Sequence, residues 1–192
     1  MAKALALNGA SRVYIVGRRK DKLDEVAALS PHKNIIPLVG DVTDRESLKQ
    51  LSAQVETEVG YVNVLIANSG IMGPGVRELS EDHTVADVRK LVLDTPMENY
   101  TEVYNVNTTA VLYTAMAFLE LLDAGNRKGN LPEKISSQII ATSSIGGFNR
   151  RHDAGFAYTT SKAATTHLVK TLATYLTRFN IRCNALAPGC KS

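Results

Sequence analysis

The sequence predicts an α/β domain in which a parallel β-sheet carries helices on both faces. Three observations predict it. From residue 12 onward, short β-branched or apolar runs alternate with segments of helical periodicity. The run at 62–67, VNVLIA, is nearly all apolar, as strands buried on both faces are. Each strand-like run ends in glycine or small polar residues, and open α/β sheets bind their ligands at those strand ends.

Residues 2–8 are rich in Ala and Leu and stop at Gly9, which reads as a helix tail with a glycine terminator. Residues 12–16, RVYIV, form the first strand pattern. Leu23, Val26, Ala27 and Leu29 then recur at helical spacing over 20–29. Residues 34–39, NIIPLV, are the next strand. Thr43 and Glu46 read as a capping box that opens a helix to about residue 59, with Leu48, Leu51 and Val55 as its apolar stripe. The strand at 62–67 follows. Residues 70–96 are punctuated by Gly and Pro, with a short helix around 84–93. Pro96 suits a helix start, and the apolar pattern runs on to about Leu122. A polar stretch, Asp123 to Glu133, leads to a strand at 138–142, a long helix over 155–178 and a last strand at 181–187. A doubly wound, Rossmann-like sheet is the fold class that this order specifies.

The 192 residues fit one domain, 1–192, and the hydrophobic content of 44% is ordinary for a globular chain. A net charge of +3, spread along the sequence, gives no concentrated basic face for nucleic acid. Cys183 and Cys190 do not make a disulfide framework and read as reduced thiols. His32, His83, His152 and His167 show no metal-ligand spacing, so no metal site is expected. No apolar run approaches the ~20 residues that span a bilayer, and Ala4 to Leu7 is too short for a signal-peptide core. The expectation is a cytoplasmic protein with no membrane or nucleic-acid partner.

The strongest chemical signal is Tyr158-Thr-Thr-Ser-Lys162 near the start of the long helix. Residues four apart share a helical face. An ammonium ~4 Å from a phenol favours the phenolate by about 4 kcal/mol at an effective dielectric of ~20. Such a phenol is suited to giving or taking a proton near neutral pH. A Y-x-x-x-K pair alone is common and as readily structural. Ser144, in Thr142-Ser-Ser-Ile-Gly-Gly147, follows a strand end and reads either as turn chemistry or as a donor to a substrate carbonyl. Asn107 sits mid-helix among apolar neighbours, where asparagine is mildly unfavourable. Asn68-Ser-Gly70 and Gly40-Asp41-Val42 close two other strands. Gly17 is followed by Arg18 and Arg19, cations at a helix start, where cations are disfavoured unless a ligand uses them.

Together these motifs resemble the short-chain dehydrogenase/reductase family over nearly the whole chain. Asn68-Ser-Gly70 resembles its N-A-G motif with serine in place of alanine. Asn107, Ser144, Tyr158 and Lys162 match its catalytic tetrad in order and approximate spacing. Asn184 to Gly189, NALAPG, resembles the strand whose Pro188-Gly189 lies beside the nicotinamide, and Asp41-Val42 matches the pair that contacts adenine. The resemblance implies that Tyr158 exchanges the proton and that Lys162 favours the phenolate and holds the nicotinamide ribose. It also implies that Ser144 orients the carbonyl and that Asn107 holds a water linking Lys162 to solvent. A nicotinamide cofactor and a small carbonyl or alcohol substrate follow. NADP(H) is favoured over NAD(H), because Arg18 and Arg19 suit a 2′-phosphate and no carboxylate stands after that strand for a 2′-hydroxyl.

The family's first strand and glycine-rich turn fall at or before Met1 when counted back from Gly17, and the last strand and helix fall beyond Ser192. In the order 3-2-1-4-5-6 the first strand is central. Its absence leaves the strands at 12–16 and 62–67 each with an unpaired edge. The function expected is a ketone/secondary-alcohol oxidoreductase acting on a secondary metabolite or a 3-oxoacyl compound. The alternative is an inactive, truncated member serving as a binding or regulatory subunit of an intact homologue. The helices at 97–122 and 155–178 are the expected surfaces for a homo-oligomer.

Overall fold

The computed structural model describes residues 1–76, 79–150 and 154–189. His152 and Cys190 lie outside the described residues. Two compact units make up the chain, Met1–Gln54 and Val55–Ser192.

The first unit holds α1 (Ala2–Leu7), β1 (Val13–Gly17), α2 (Lys20–Ala28), β2 (Ile35–Val39) and most of α3 (Arg45–Val59). Gly9 stops α1 as its sequence position implies. At φ 93° it turns the chain so that the Ala10 N–H donates back to Leu5 O at 3.2 Å. β1 and β2 pair in parallel, Val13 opposite Ile35 and Gly17 opposite Val39. Pro37 costs this pair nothing. The Asn34 carbonyl and the Gly40 N–H face β1, so the missing donor of Pro37, at the opposite parity, falls on the outer edge. The expected capping box at Thr43 is not formed. Thr43 turns its N–H and hydroxyl onto Asp41 Oδ1, at 2.9 and 2.7 Å, and Asp44 Oδ1 accepts the Glu46 N–H at 3.0 Å. Aspartate outcompetes threonine here because its carboxylate caps the free N–H groups of the first turn more strongly.

The second unit holds β3 (Val64–Ala67), β4 (Gln138–Thr142) and β5 (Arg182–Leu186) in one parallel sheet, order β3-β4-β5. The helices are α4 (Val85–Asp94), α5 (Met97–Tyr104), α6 (Ala110–Ala117), α7 (Leu119–Arg127) and α8 (Phe156–Leu176). Its core joins Ala67, Val111, Ala115, Leu122, Ile139, Ala141, Val169, Leu172, Leu176, Ile181 and Cys183. The register levels Ala67, Ala141 and Ala185 in one row, and these small side chains let helices approach the sheet closely. Burial pushes the Cys183 thiol up to about 11.

The described strands form two parallel sheets, β1-β2 in the first unit and β3-β4-β5 in the second. Among the described strands β1 and β3 each pair on one side only. The expectation that the run at 62–67 is buried on both faces is corrected by Val64, which is 37% exposed. The single helix expected from Pro96 to Leu122 is also corrected. A π-turn, Asn105–Thr109, separates α5 from α6, a break at Phe118 separates α6 from α7, and the run ends at Arg127. Thr84 and Asp87 form a reciprocal capping box that opens α4.

Gly125 sets how closely α7 approaches the chain leading into β3. A Cβ there would meet Val62 O at 2.2 Å and Ser137 Oγ at 2.7 Å. Helix propensity alone favours alanine by about 1 kcal/mol. The overlap with a backbone carbonyl outweighs that, and Gly125→Ala is expected to cost ~2 kcal/mol or more, measured by urea unfolding.

Candidate active site

Within the second unit, the C-terminal ends of β3, β4 and β5 lie level and meet through short contacts. Thr142 Oγ1 donates to Asn68 Oδ1 at 3.0 Å, the Ser143 N–H to Leu186 O at 2.7 Å and the Ile145 N–H to Pro188 O at 3.0 Å. Asn68, Gly70, Ser144, Pro188 and Gly189 are thereby gathered at one end of one sheet. The 3₁₀ turn Ile145–Gly147 follows β4, capped by Ser144 Oγ, which accepts the Gly146 N–H at 3.1 Å. Its glycines allow close approach. A Cβ at Gly147 would lie 2.8 Å from the Ala163 nitrogen, and one at Gly146 would lie 3.4 Å from Ser144 Oγ and 3.7 Å from the Tyr158 ring. The Ser144 hydroxyl and the Tyr158 ring therefore both lie close to Gly146.

Lys162 and Tyr158 stand one turn apart on α8, as their spacing requires. Lys162 is 3% exposed, and its Nζ donates to Thr142 O at 2.7 Å. The ammonium lies 5.8 Å from the Tyr158 ring centroid, within cation–π range. Burial pushes the Lys162 amine below the ordinary lysine range. A Cβ on Gly70 would crowd it at 3.2 Å and would crowd Asn107 Oδ1 at 3.1 Å, so the glycine keeps the β3 loop close to the charge.

Asn107 lies in the π-turn and is fully buried. Its Oδ1 accepts the Ile71 N–H at 2.8 Å, and its Nδ2 donates to Ile71 O at 3.0 Å and to Ser161 Oγ at 3.0 Å. The side chain is thus a clamp on the loop after β3, with both amide hydrogens used. The role implied for it, holding a water, falls to no free amide hydrogen of this side chain.

In the first unit, Arg18 follows β1 and pairs with Asp41 Oδ2 at 3.7 Å, while Arg19 opens α2 and its carbonyl accepts the Leu23 N–H. The Thr43 hydroxyl and N–H, and more weakly Arg18, hold the Asp41 carboxyl below the usual range. Val42 is half-buried beside it.

Sequence reasoning missed Ser143, Ser161 and Thr165. Ser143 Oγ donates to Lys162 O at 2.9 Å, which ties α8 to the end of β4. Ser161 and Thr165 are fully buried. The signal was their spacing of four from Ala157, on the stripe that continues as Val169, Leu172 and Leu176. A search for apolar residues alone passes over hydroxyls on a buried face. A cavity of about 500 Å³, lined in part by Gly73, Pro74, Leu91, Asn99 and Glu102, opens between the loop after β3 and helices α4 and α5.

The family profile described as short chain dehydrogenase matches residues 1–192. The chain is 45% identical over 190 residues to the short-chain dehydrogenase/reductase PhomF' of Diaporthe leptostromiformis, covering 98% of this chain and 64% of that protein. It is 43% identical over 203 residues to the short-chain dehydrogenase/reductase SAT3 of Stachybotrys chartarum, covering 98% of this chain and 73% of that protein. Among solved structures, the RhlG/NADP active-site complex of Pseudomonas aeruginosa superposes with a TM-score of 0.80 at 22% identity, over 100% of this chain and 67% of that one. The chain thus spans 64% of the length of PhomF'.

The buried ammonium has a signature in stability. A lysine whose pKa is lower in the native state holds fewer protons there than in the unfolded chain between the two values, so native stability rises as pH climbs through that window. Relative to Lys162→Met, the wild type is expected to gain stability as pH is raised from neutral towards 10.5, the ordinary lysine value, in urea unfolding at a series of pH values. A difference that stays flat with pH would mean that the amine is solvated.

Proposed function

Since the chain belongs to the short chain dehydrogenase family, we propose that it carries the active site of an NADP(H)-dependent oxidoreductase that interconverts a ketone and a secondary alcohol. The observation that carries this reading is the buried Lys162 ammonium beside the Tyr158 ring, with the Ser144 hydroxyl and that ring both close to Gly146.

The residues fit a nicotinamide nucleotide. An ammonium has three N–H donors, and Thr142 O takes one from Lys162, which leaves donors for the ribose hydroxyls. The absent Cβ of Gly70 keeps the loop backbone against that ammonium. When bound, the nicotinamide supplies or accepts the hydride at the substrate carbon. Tyr158 donates its phenolic proton to the carbonyl oxygen during reduction and takes it back during oxidation. The Lys162 charge stabilises the phenolate left behind. The Ser144 hydroxyl, whose oxygen accepts from Gly146, keeps its own proton for the substrate oxygen. Asn107 holds the loop that carries Asn68 and Gly70. Pro188 and Gly189 close the side next to the 3₁₀ turn.

Arg18 and Arg19 favour NADP(H). The Arg18–Asp41 pair is solvent-exposed and worth about 0–1 kcal/mol. A 2′-phosphate, which takes a guanidinium by two parallel hydrogen bonds, competes with it readily. Asp41 and Val42 are the adenine contacts in this reading. The substrate is a small ketone, a 3-oxoacyl thioester or a polyketide- or terpene-like intermediate of secondary metabolism, and the reaction is cytoplasmic. Tyr113, Met116 and Tyr175, exposed on α6 and α8, offer apolar surface for a second copy.

The test is a titration with NADPH followed by cofactor fluorescence, which no tryptophan obscures because the chain has none. Saturable binding is expected, weakened about tenfold by Arg18→Ala with NADH binding little changed. Tyr158→Phe is expected to keep binding and to lower kcat for ketone reduction by about 10²–10⁴-fold. A folded chain that binds no NADPH overturns the proposal and favours a binding or regulatory subunit.

A further inference from the structure

We propose that Thr165 is a positioning residue, whose hydroxyl holds the main chain of Asn107 and through it keeps the β3 loop against Lys162. The inference rests on the reading of Lys162 and Tyr158 as the reacting pair, but its geometry is independent of that reading.

Thr165 is fully buried, and one hydroxyl proton must serve two acceptors within reach, Asn107 O at 2.7 Å and Ser161 O at 2.8 Å. Bonding back to the carbonyl four residues earlier is the default for threonine in a helix. Here that carbonyl has another donor, because Thr108 Oγ1 reaches Ser161 O at 3.0 Å. With the Thr108 proton on Ser161 O, the Thr165 proton is free to go across to Asn107 O in the π-turn, and the two hydroxyl oxygens, 3.2 Å apart, then pack side by side with no proton between them. A carbonyl in a π-turn is offset from the regular helical ladder, and an outside donor holds it there.

The side chain of Asn107 is fixed from the same helix. Ser161 Oγ donates to Tyr158 O at 2.7 Å, so its lone pair receives Nδ2 of Asn107. That sets which way the amide points and leaves Oδ1 for the Ile71 N–H. Asn107 is thus gripped at its carbonyl by Thr165 and at its amide by Ser161, and it passes this constraint to both polar groups of Ile71. Ile71 is the neighbour of Gly70, whose Cα faces the Lys162 ammonium. A hydroxyl that touches no reacting atom in this way sets the loop height over the ammonium.

The experiment is amide hydrogen exchange on the whole chain, comparing wild type with Thr165→Val, which keeps shape and loses the hydroxyl, and Thr165→Ser, which restores it. Exchange at Ile71 is expected to quicken about tenfold in the valine variant and to return in the serine variant, with the central amides of α8 unchanged. Unchanged protection at Ile71 in the valine variant overturns the proposal. So does uniform loosening of α8, which would make Thr165 a packing residue only. If the valine variant does not fold, Thr165→Ala takes its place under the same criteria. Exchange needs no cofactor. Failure of NADPH binding with the Ile71 effect intact therefore sinks the functional reading alone, and the reverse sinks only this one. In an active protein the valine variant is further expected to bind NADPH more weakly and to lose kcat, and the serine variant to recover both.

Discussion

The second unit is organised around a charge taken out of water. The Lys162 ammonium sits under the end of β4, and the tie runs in both directions. Its Nζ donates to the Thr142 carbonyl, and the Ser143 hydroxyl donates to the Lys162 carbonyl. Isolated burial of an ammonium is costly. Here a carbonyl dipole and the face of the Tyr158 ring offset part of that cost. The 3₁₀ turn lies close enough to α8 that Gly147 has no room for a side chain. Helix, strand end and turn are thus fixed to one another at a single residue.

Next to that charge runs a seam of hydroxyls and one amide. Ser161, Thr165 and Thr108 join α8 to the π-turn, and Asn107 joins the π-turn to the loop after β3. Each member is buried or half-buried and each hydrogen bond has a named partner, which is the condition for such a network to specify one arrangement. No buried side-chain polar atom among the described residues lacks a partner. Loop, helix and strand ends that are far apart in sequence are consequently set at defined distances before any ligand arrives, which is what electrostatic preorganisation requires.

Most of the architecture was legible because period and punctuation carry it. The run at 138–142 is the observed β4 without change, and the parallel pairing within β1-β2 and within β3-β4-β5 agrees with the alternation of strands and helices along the sequence. Pro37 carried a further sign, since a proline is compatible with an edge strand. Hydrophobic periodicity failed where hydrogen bonding decides. It cannot show that 105–109 widens into a π-turn, because the apolar residues there continue at nearly helical spacing. It assigned a cap to Thr43, whose hydroxyl instead goes to Asp41. The site residues stood out where chemistry and spacing coincide, at Tyr158 and Lys162. Ser143, which anchors Lys162, was overshadowed by its neighbour Ser144. Ser161 and Thr165 were hidden because a hydroxyl on a buried helical stripe looks like a solvated one until its acceptor is known.

The burial of Cys183 has a consequence of its own. Its thiol sits near the start of β5, among the core residues, and burial pushes it up to about 11. At neutral pH almost none of it is thiolate, the form that attacks alkylating or oxidising reagents. Its reaction is expected to be slow while β5 stays paired with β4. The rate at which a small thiol reagent labels this residue, mapped at the peptide level, is therefore a clock for excursions of β5 from β4.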